Sequence, residues 1–109
     1  MKTTAYLRIS TADQDIEKNK SDILKLANEK RLGYVEFIEE QISGKVSWKK
    51  RKLFAIIDDA KKDDVLIVSE LSRLGRSMLE IMEILSIASQ KQMKIYAVKG
   101  NWNLDDSIQ

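Results

Sequence analysis

Three side chains near the start of the chain have the types and spacing to act on a phosphate. Ala5-Tyr6-Leu7-Arg8-Ile9 alternates and predicts a strand. A period of two places Tyr6, Arg8 and Ser10 on one side of it. Ser10 falls at or beyond the carboxyl end of that strand. It directly precedes a helix start with Thr11 as the cap and Gln14 at capping-box spacing. Open α/β sheets bind ligands at the carboxyl ends of their strands. Helix N-termini attract anions through free N–H groups and the dipole. Ser10 is therefore a hydroxyl where a phosphate could sit, two residues from the Arg8 guanidinium. A structural origin also fits these residues: a Ser that helps start a helix, an edge cation, a capping Gln and a half-buried sheet Tyr.

A second group, Ser72-Arg73-Leu74-Gly75-Arg76-Ser77, follows the third predicted strand, again at a carboxyl end. Arg73 and Arg76 fall on one face if this turn is helical, and Gly75 allows a close backbone approach. Arginine at a helix N-terminus opposes the dipole, so a purely structural reading is less comfortable here, although surface cations fit the spacing equally well. Arg51 lies in Lys49-Lys50-Arg51-Lys52 and reads by itself as a solvated loop residue. Ser43-Gly44 alone is a turn. Trp48 and Trp102 fit either exposed aromatics or caps on the core. Asp58-Asp59, Asp63-Asp64 and Asp105-Asp106 are neighbours in sequence, so their side chains diverge. They make neither a two-carboxylate catalytic pair nor a Mg²⁺ site.

Composition narrows the chemistry available. The 109 residues make one small domain and contain no Cys, His or Pro. Thiolate nucleophiles, disulfides, a His general base and a zinc site are thereby excluded. Hydroxyls, carboxylates, amides, Lys and Arg remain. A net charge of +2 is too balanced to argue for nucleic acid by itself. The basic residues divide unevenly: fourteen are Lys, and only Arg8, Arg31, Arg51, Arg73 and Arg76 are Arg. Arg is the better fork for phosphate or carboxylate. Four scattered Gly, at 33, 44, 75 and 100, argue against a nucleotide-cradling loop. No apolar run approaches a membrane span, and Met1-Lys2-Thr3-Thr4-Ala5 lacks the apolar stretch of a signal peptide. A cytoplasmic location is the expectation.

The elements that must position these residues follow from periodicity. A helix is predicted from Thr11 to about Lys30, with Ile16, Lys20, Ile23 and Ala27 along one face, Leu24 beside them, and Gly33 closing it. Tyr34 to Glu40 predicts a second strand. Ser43 to Lys52 reads as a loop leading into a helix with Leu53, Ile56, Ile57 and Ala60 on one side. Lys61-Lys62-Asp63-Asp64 makes a polar turn. Val65-Leu66-Ile67-Val68 reads as a buried parallel strand. Ser77 and Glu80 form a second capping box. The helix from Met78 to about Gln90 is apolar enough to be buried on more than one side. Ile95-Tyr96-Ala97-Val98 predicts the last strand, and the tail from Gly100 has no periodicity. Strands alternating with helices predict an α/β layer fold around a mainly parallel sheet.

Taken together, Tyr6-Leu7-Arg8-Ile9-Ser10-Thr11, Gln14, Ser43-Gly44, Arg51-Lys52-Leu53 and Leu71-Ser72-Arg73-Leu74-Gly75-Arg76-Ser77 resemble the serine recombinases, the resolvase and DNA-invertase family. The resemblance runs in order from about Ala5 to Ser107. It implies a three-layer catalytic domain with a mainly parallel central sheet of four to five strands flanked by helices. It implies that Ser10 attacks a DNA phosphodiester, forms a 5′-phosphoserine link and releases a 3′ hydroxyl. Strand exchange and rejoining would follow without ATP, metal or other cofactor. Arg8, Arg73, Arg76 and Arg51 match the family's phosphate-binding arginines. Tyr6, Gln14, Ser43 and Ser72 match supporting positions. The implied partners are double-stranded DNA and further copies of the protein, as a dimer or tetramer, with no membrane.

Two departures accompany the resemblance. Many members carry Asp directly before the first Arg of the late motif, where this chain has Ser72, which can hydrogen-bond but cannot supply charge. Members also continue into a long dimerisation helix and a DNA-binding region, and Gln109 stands about where that helix begins. The resemblance thus implies residues 1–109 as a catalytic core cut short, with weak site recognition and no recombination by itself. A non-catalytic module that binds or regulates a full-length recombinase is the alternative expectation.

Overall fold

A computed structural model describes residues 1–9 and 16–104 of the chain. Ser10, Thr11 and Gln14, with the helix start read over them, lie outside the described residues, as does the acidic pair Asp105-Asp106.

Strand β1 (Thr3–Ile9) sits second in a five-stranded sheet. It is followed by α1 (Ile16–Glu29), β2 (Glu36–Gln41), α2 (Lys52–Asp58), β3 (Val65–Val68), α3 (Met78–Lys91), β4 (Lys94–Ala97) and β5 (Trp102–Leu104). The strand order is β2-β1-β3-β4-β5. All neighbours pair in parallel except β4 and β5, which are antiparallel. The expected α/β fold with a mainly parallel sheet is therefore present. β5 is a correction: the stretch after Gly100 that shows no periodicity forms a three-residue edge strand.

The two faces of the sheet bury different sets of side chains, as the period of two requires. Ala5, Leu7, Val65, Ile67 and Tyr96 pack with Ile23, Leu26 and Ala27 of α1. Tyr6, Leu66, Val68 and Ile95 pack on the opposite face with Trp48, Leu53, Ile57, Leu74, Ile81 and Ile84, under α2 and α3. The helix–sheet–helix layering is complete with these two clusters.

Several local details depart from the sequence reading. In α1, Leu26 is buried whereas Leu24 is exposed, because the buried stripe runs through Ile23, Leu26 and Ala27. The helix ends at Glu29, and Arg31 rather than Gly33 closes it. Arg31 adopts φ 55, and the Leu32 N–H donates to the Ala27 carbonyl at 3.0 Å, the closure of a left-handed helix cap. In α3 the Ser77 hydroxyl accepts from the Glu80 N–H at 3.2 Å, as the capping box requires. That helix is not buried all round: Met78, Leu79 and Met82 are exposed, Leu79 at 81%. Trp48 belongs to the core. Its indole N–H donates to Glu83 Oε1 at 3.0 Å, which fastens the turn before α2 to α3. Among the described residues no helix is long and apolar enough to cross a membrane.

Candidate active site

The sheet order places a topological switch point between β1 and β3, where connections leave in opposite directions, the position at which open α/β sheets bind ligands. Register shows where the two strands part. β1 stays paired with β2 out to Ile9 opposite Gln41, but its pairing with β3 stops at Ala5 opposite Ile67. Arg8 on β1 and the segment after Val68 both lie beyond that last pair.

Period two directs Tyr6 and Arg8 to the α2 side, toward the loop after β2. The Arg8 Nη1 donates to the Ile42 carbonyl at 3.2 Å, while the Ile42 N–H donates to the Ile9 carbonyl at 3.0 Å. The guanidinium lies over Gly44: a β-carbon there would stand 3.4 Å from Arg8 Cζ. That is ordinary van der Waals distance, so the guanidinium packs against the loop at residue 44. The Ser43 hydroxyl accepts from the Lys45 N–H at 3.1 Å and tightens the same turn.

Arg51 is placed quite differently from a solvated loop residue. It is 4% exposed. Its Nε donates to the Val46 carbonyl at 3.0 Å, its Nη2 to the Gly44 carbonyl at 3.2 Å, and its Nη1 to the Arg73 carbonyl at 3.0 Å. One guanidinium fork therefore ties the loop after β2 to the turn after β3. Neutral carbonyls satisfy three of its donors, an arrangement that Arg geometry permits and Lys does not. The lysine run around it was the misleading signal, since Lys49 and Lys50 are indeed exposed.

Tyr6 completes this buried wall. Its hydroxyl donates to Glu40 Oε1 at 2.9 Å, and the Lys52 N–H at the start of α2 donates to the same oxygen at 2.8 Å. Burial pushes the Tyr6 hydroxyl well above the ordinary phenol range, Glu40 adds to the rise, and the Arg51 charge opposes it. Tyr6 is thus held neutral as a hydrogen-bond donor. Sequence reasoning missed Glu40, because nothing local ties a single carboxylate on β2 to a tyrosine 34 residues away.

The segment after β3 forms a 3-10 turn at Leu71–Arg73. The Arg73 N–H donates to the Glu70 carbonyl at 3.1 Å, and the Ser72 hydroxyl donates to Glu70 Oε1 at 2.7 Å. The Ser72 hydrogen bond holds the Glu70 carboxyl below its usual range. Burial opposes that, and the charges of Lys99, Arg73 and Arg8 reinforce it. Glu70 is the second acid that sequence reasoning did not single out.

Gly75 carries the chain tightly over the first turn of α3. A β-carbon on it would sit 2.8 Å from Glu80 Cβ. Glu80 Oε1 accepts from the N–H groups of Arg76 at 3.0 Å and Trp48 at 3.2 Å, and Oε2 lies 3.3 Å from Arg76 Nε. Burial raises the Glu80 carboxyl, but the N–H groups, Ser47 and the Arg76 charge outweigh it and leave the carboxyl below its usual range. Glu80 also answers the unfavourable placement of arginine at a helix N-terminus. The Arg76 side chain remains more than half exposed, beside an open groove lined by Ser47, Lys49, Leu79 and Glu83. Among the described residues no group of His, Cys, Asp and Glu could hold a metal ion.

The carboxyl ends of β1 and β3 thus bring together arginine-bearing segments on an α/β domain, with Arg51 joining the loop after β2 to the turn after β3. Comparison with known proteins identifies the family. Residues 3–109 match the model of the resolvase N-terminal domain, and the chain belongs to that family. It is 28% identical to the transposon Tn1546 resolvase of Enterococcus faecium over 94% of this chain and 50% of that protein. It is 30% identical to the transposon Tn2501 resolvase of Escherichia coli, over 86% of this chain and 48% of that protein. It is 35% identical to the DNA-invertase hin of Salmonella typhimurium, over 79% of this chain and 42% of that protein. The chain thus spans about half the length of the curated relatives it matches.

Proposed function

We propose that this chain is the catalytic domain of a serine-type site-specific DNA recombinase, with Ser10 as the nucleophile. In this reading Ser10 Oγ attacks a phosphodiester phosphorus of duplex DNA. The Oγ–P bond forms, the P–O3′ bond breaks, and the proton lost from Ser10 balances the one gained by the 3′ hydroxyl. The phosphoserine link conserves the energy of the broken bond, so reversal on a new 3′ hydroxyl needs no ATP.

The observation that carries this reading is that the sheet order sets the two motif segments at the carboxyl ends of neighbouring strands. Arg8 is the second-last residue of β1, two residues before Ser10, and Arg73 follows β3 across the switch point. Phosphoryl transfer is mostly positioning and charge stabilisation, and arginines supply both without a metal. Arg8, Arg73 and Arg76 act on the phosphate in this reading. Arg51, whose fork is engaged with three carbonyls, acts through the loop and turn that it joins. Tyr6, Ser43 and Ser72 support the same wall, and Gln14 lies four residues after the nucleophile in sequence. DNA and further copies of the protein are the proposed partners.

The test uses the protein as its gene encodes it. A pool of short duplexes of randomised sequence, each nicked near the centre, is offered in the presence of EDTA. Covalent protein–DNA adducts are then separated under denaturing conditions. The expected result is an adduct that EDTA does not prevent and that Ser10→Ala abolishes. An adduct that survives Ser10→Ala, or that needs a divalent metal, overturns the reading.

A further inference from the structure

The position directly before Arg73 is Ser72, where many relatives of this motif have an Asp. A hydroxyl cannot take over a carboxylate's charge. The structure offers a carboxylate from another position. Glu70, half-buried at the end of β3, accepts the Ser72 hydroxyl at 2.7 Å, the length of a charge-assisted O–H···O bond. The same residue accepts the Arg73 N–H on its main-chain carbonyl at 3.1 Å, so Glu70, Ser72 and Arg73 form one closed turn. The Glu70 side chain does not cap that turn, since it accepts none of the turn's N–H groups. A helix-capping role therefore does not account for it. The neighbouring strand brings Lys99 alongside, with its N–H on the Ser69 carbonyl at 2.8 Å. Lys99, Arg73 and Arg8 all act on the Glu70 charge.

We propose that Glu70, oriented by the Ser72 hydroxyl, is the positioning carboxylate of this site and takes the place of an acid at position 72. Like-charged guanidiniums on β1 and on the turn after β3 repel each other. A carboxylate on the same turn as Arg73 offsets that repulsion and biases where the guanidiniums point before a phosphate enters. The Ser72 hydroxyl locks the carboxylate's rotamer. Glu70 acts through the arginines and not on the reacting atoms. This inference rests on the recombinase reading and adds a residue to it.

The experiment compares the wild-type protein with Glu70→Gln, Ser72→Asp and the double variant. Two quantities are measured: affinity for the randomised duplex pool by fluorescence anisotropy, and the rate of adduct formation at saturating DNA. Glu70→Gln is expected to hold or tighten DNA binding, because a negative charge beside the arginines is gone. It is expected to slow adduct formation by about 10- to 100-fold, the range that misplaced catalytic groups produce. Ser72→Asp in the Glu70→Gln background is expected to restore most of that rate, by supplying the acid directly before Arg73. A merely structural glutamate predicts neither the split between binding and rate nor the rescue. An unchanged rate in Glu70→Gln, or no rescue by Ser72→Asp in a protein that melts like the wild type, overturns the inference. Ser10→Ala separates the two levels. If it abolishes the adduct while Glu70→Gln is silent, only the role of Glu70 fails. If the adduct survives Ser10→Ala, or none forms with the wild type, the recombinase reading falls and this inference with it.

Discussion

Arg51 and Arg76 stand in similar motif company but in opposite surroundings. Arg51 is buried, and three of its donors are satisfied by main-chain carbonyls of two separate segments. Arg76 projects from the rim, held on one side by Glu80 and open on the other. Motif position alone therefore does not say whether an arginine meets a ligand. Burial and partners separate a cation that ties two segments together from one that stays open to solvent.

The largest effect that sharpens this contrast is on stability. Arg51→Ala strips donors from the part-buried carbonyls of Gly44, Val46 and Arg73. The expected loss is about 3 kcal/mol, at ~0.5–1.5 kcal/mol for each hydrogen bond removed. Urea denaturation measures it. Arg51→Lys keeps the charge but not the fork, so it is expected to recover only a minor part. Full recovery by Lys would show that charge, not the triple hydrogen bond, is what matters at residue 51.

Gly75→Ala comes next. Its β-carbon at 2.8 Å from Glu80 Cβ must displace the first turn of α3. Overpacking of this kind costs about 1–3 kcal/mol, and a thermal melt should fall by ~4–8 °C for each kcal/mol in a domain of this size.

Glu80→Gln is smaller, about 1 kcal/mol at neutral pH, because the amide oxygen keeps the N–H contacts but loses their charge assistance. It also has a pH signature. Glu70, Glu80 and Asp64 all titrate below their ordinary ranges in the folded chain. The unfolded chain therefore takes up protons first as pH falls. The stability they contribute is complete above the ordinary Glu range and is lost as pH drops through their folded values. Denaturation midpoints from pH 7 to pH 3 should show a shallower acid decline in Glu80→Gln. An unchanged slope would remove Glu80 from that linkage.

Arg76→Ala is expected to change stability least, by less than ~0.5 kcal/mol, as exposed ion pairs do. It should nonetheless weaken binding to the duplex pool and flatten its salt dependence. A destabilisation comparable to Arg51→Ala would erase the distinction between the two arginines.

Much of the scaffold is legible from periodicity. β3 stands where its apolar run ends and begins, and the Ser77–Glu80 box starts α3 as read. β5 escaped because three residues cannot display a period. Met78, Leu79 and Met82 show that apolar type does not compel burial. The motif residues were legible in the sequence, but the contacts that hold the described ones in place were not. Arg51 looked solvated because its neighbours are lysines. Its burial depends on a loop and a turn that meet only in three dimensions. Glu40 and Glu70 carry no periodic or spacing signal. Their partners are a tyrosine on the next strand and a hydroxyl that reads as a substitution rather than as half of a pair.

The central claim is that Ser10 is the residue joined to DNA, and its most direct test is mass spectrometry of the protease-digested adduct. The predicted result is a tryptic peptide that runs from Ile9 to Lys18, with a 5′-linked nucleotide on Ser10 Oγ. A nucleotide on any other residue, or a 3′ linkage, would contradict it.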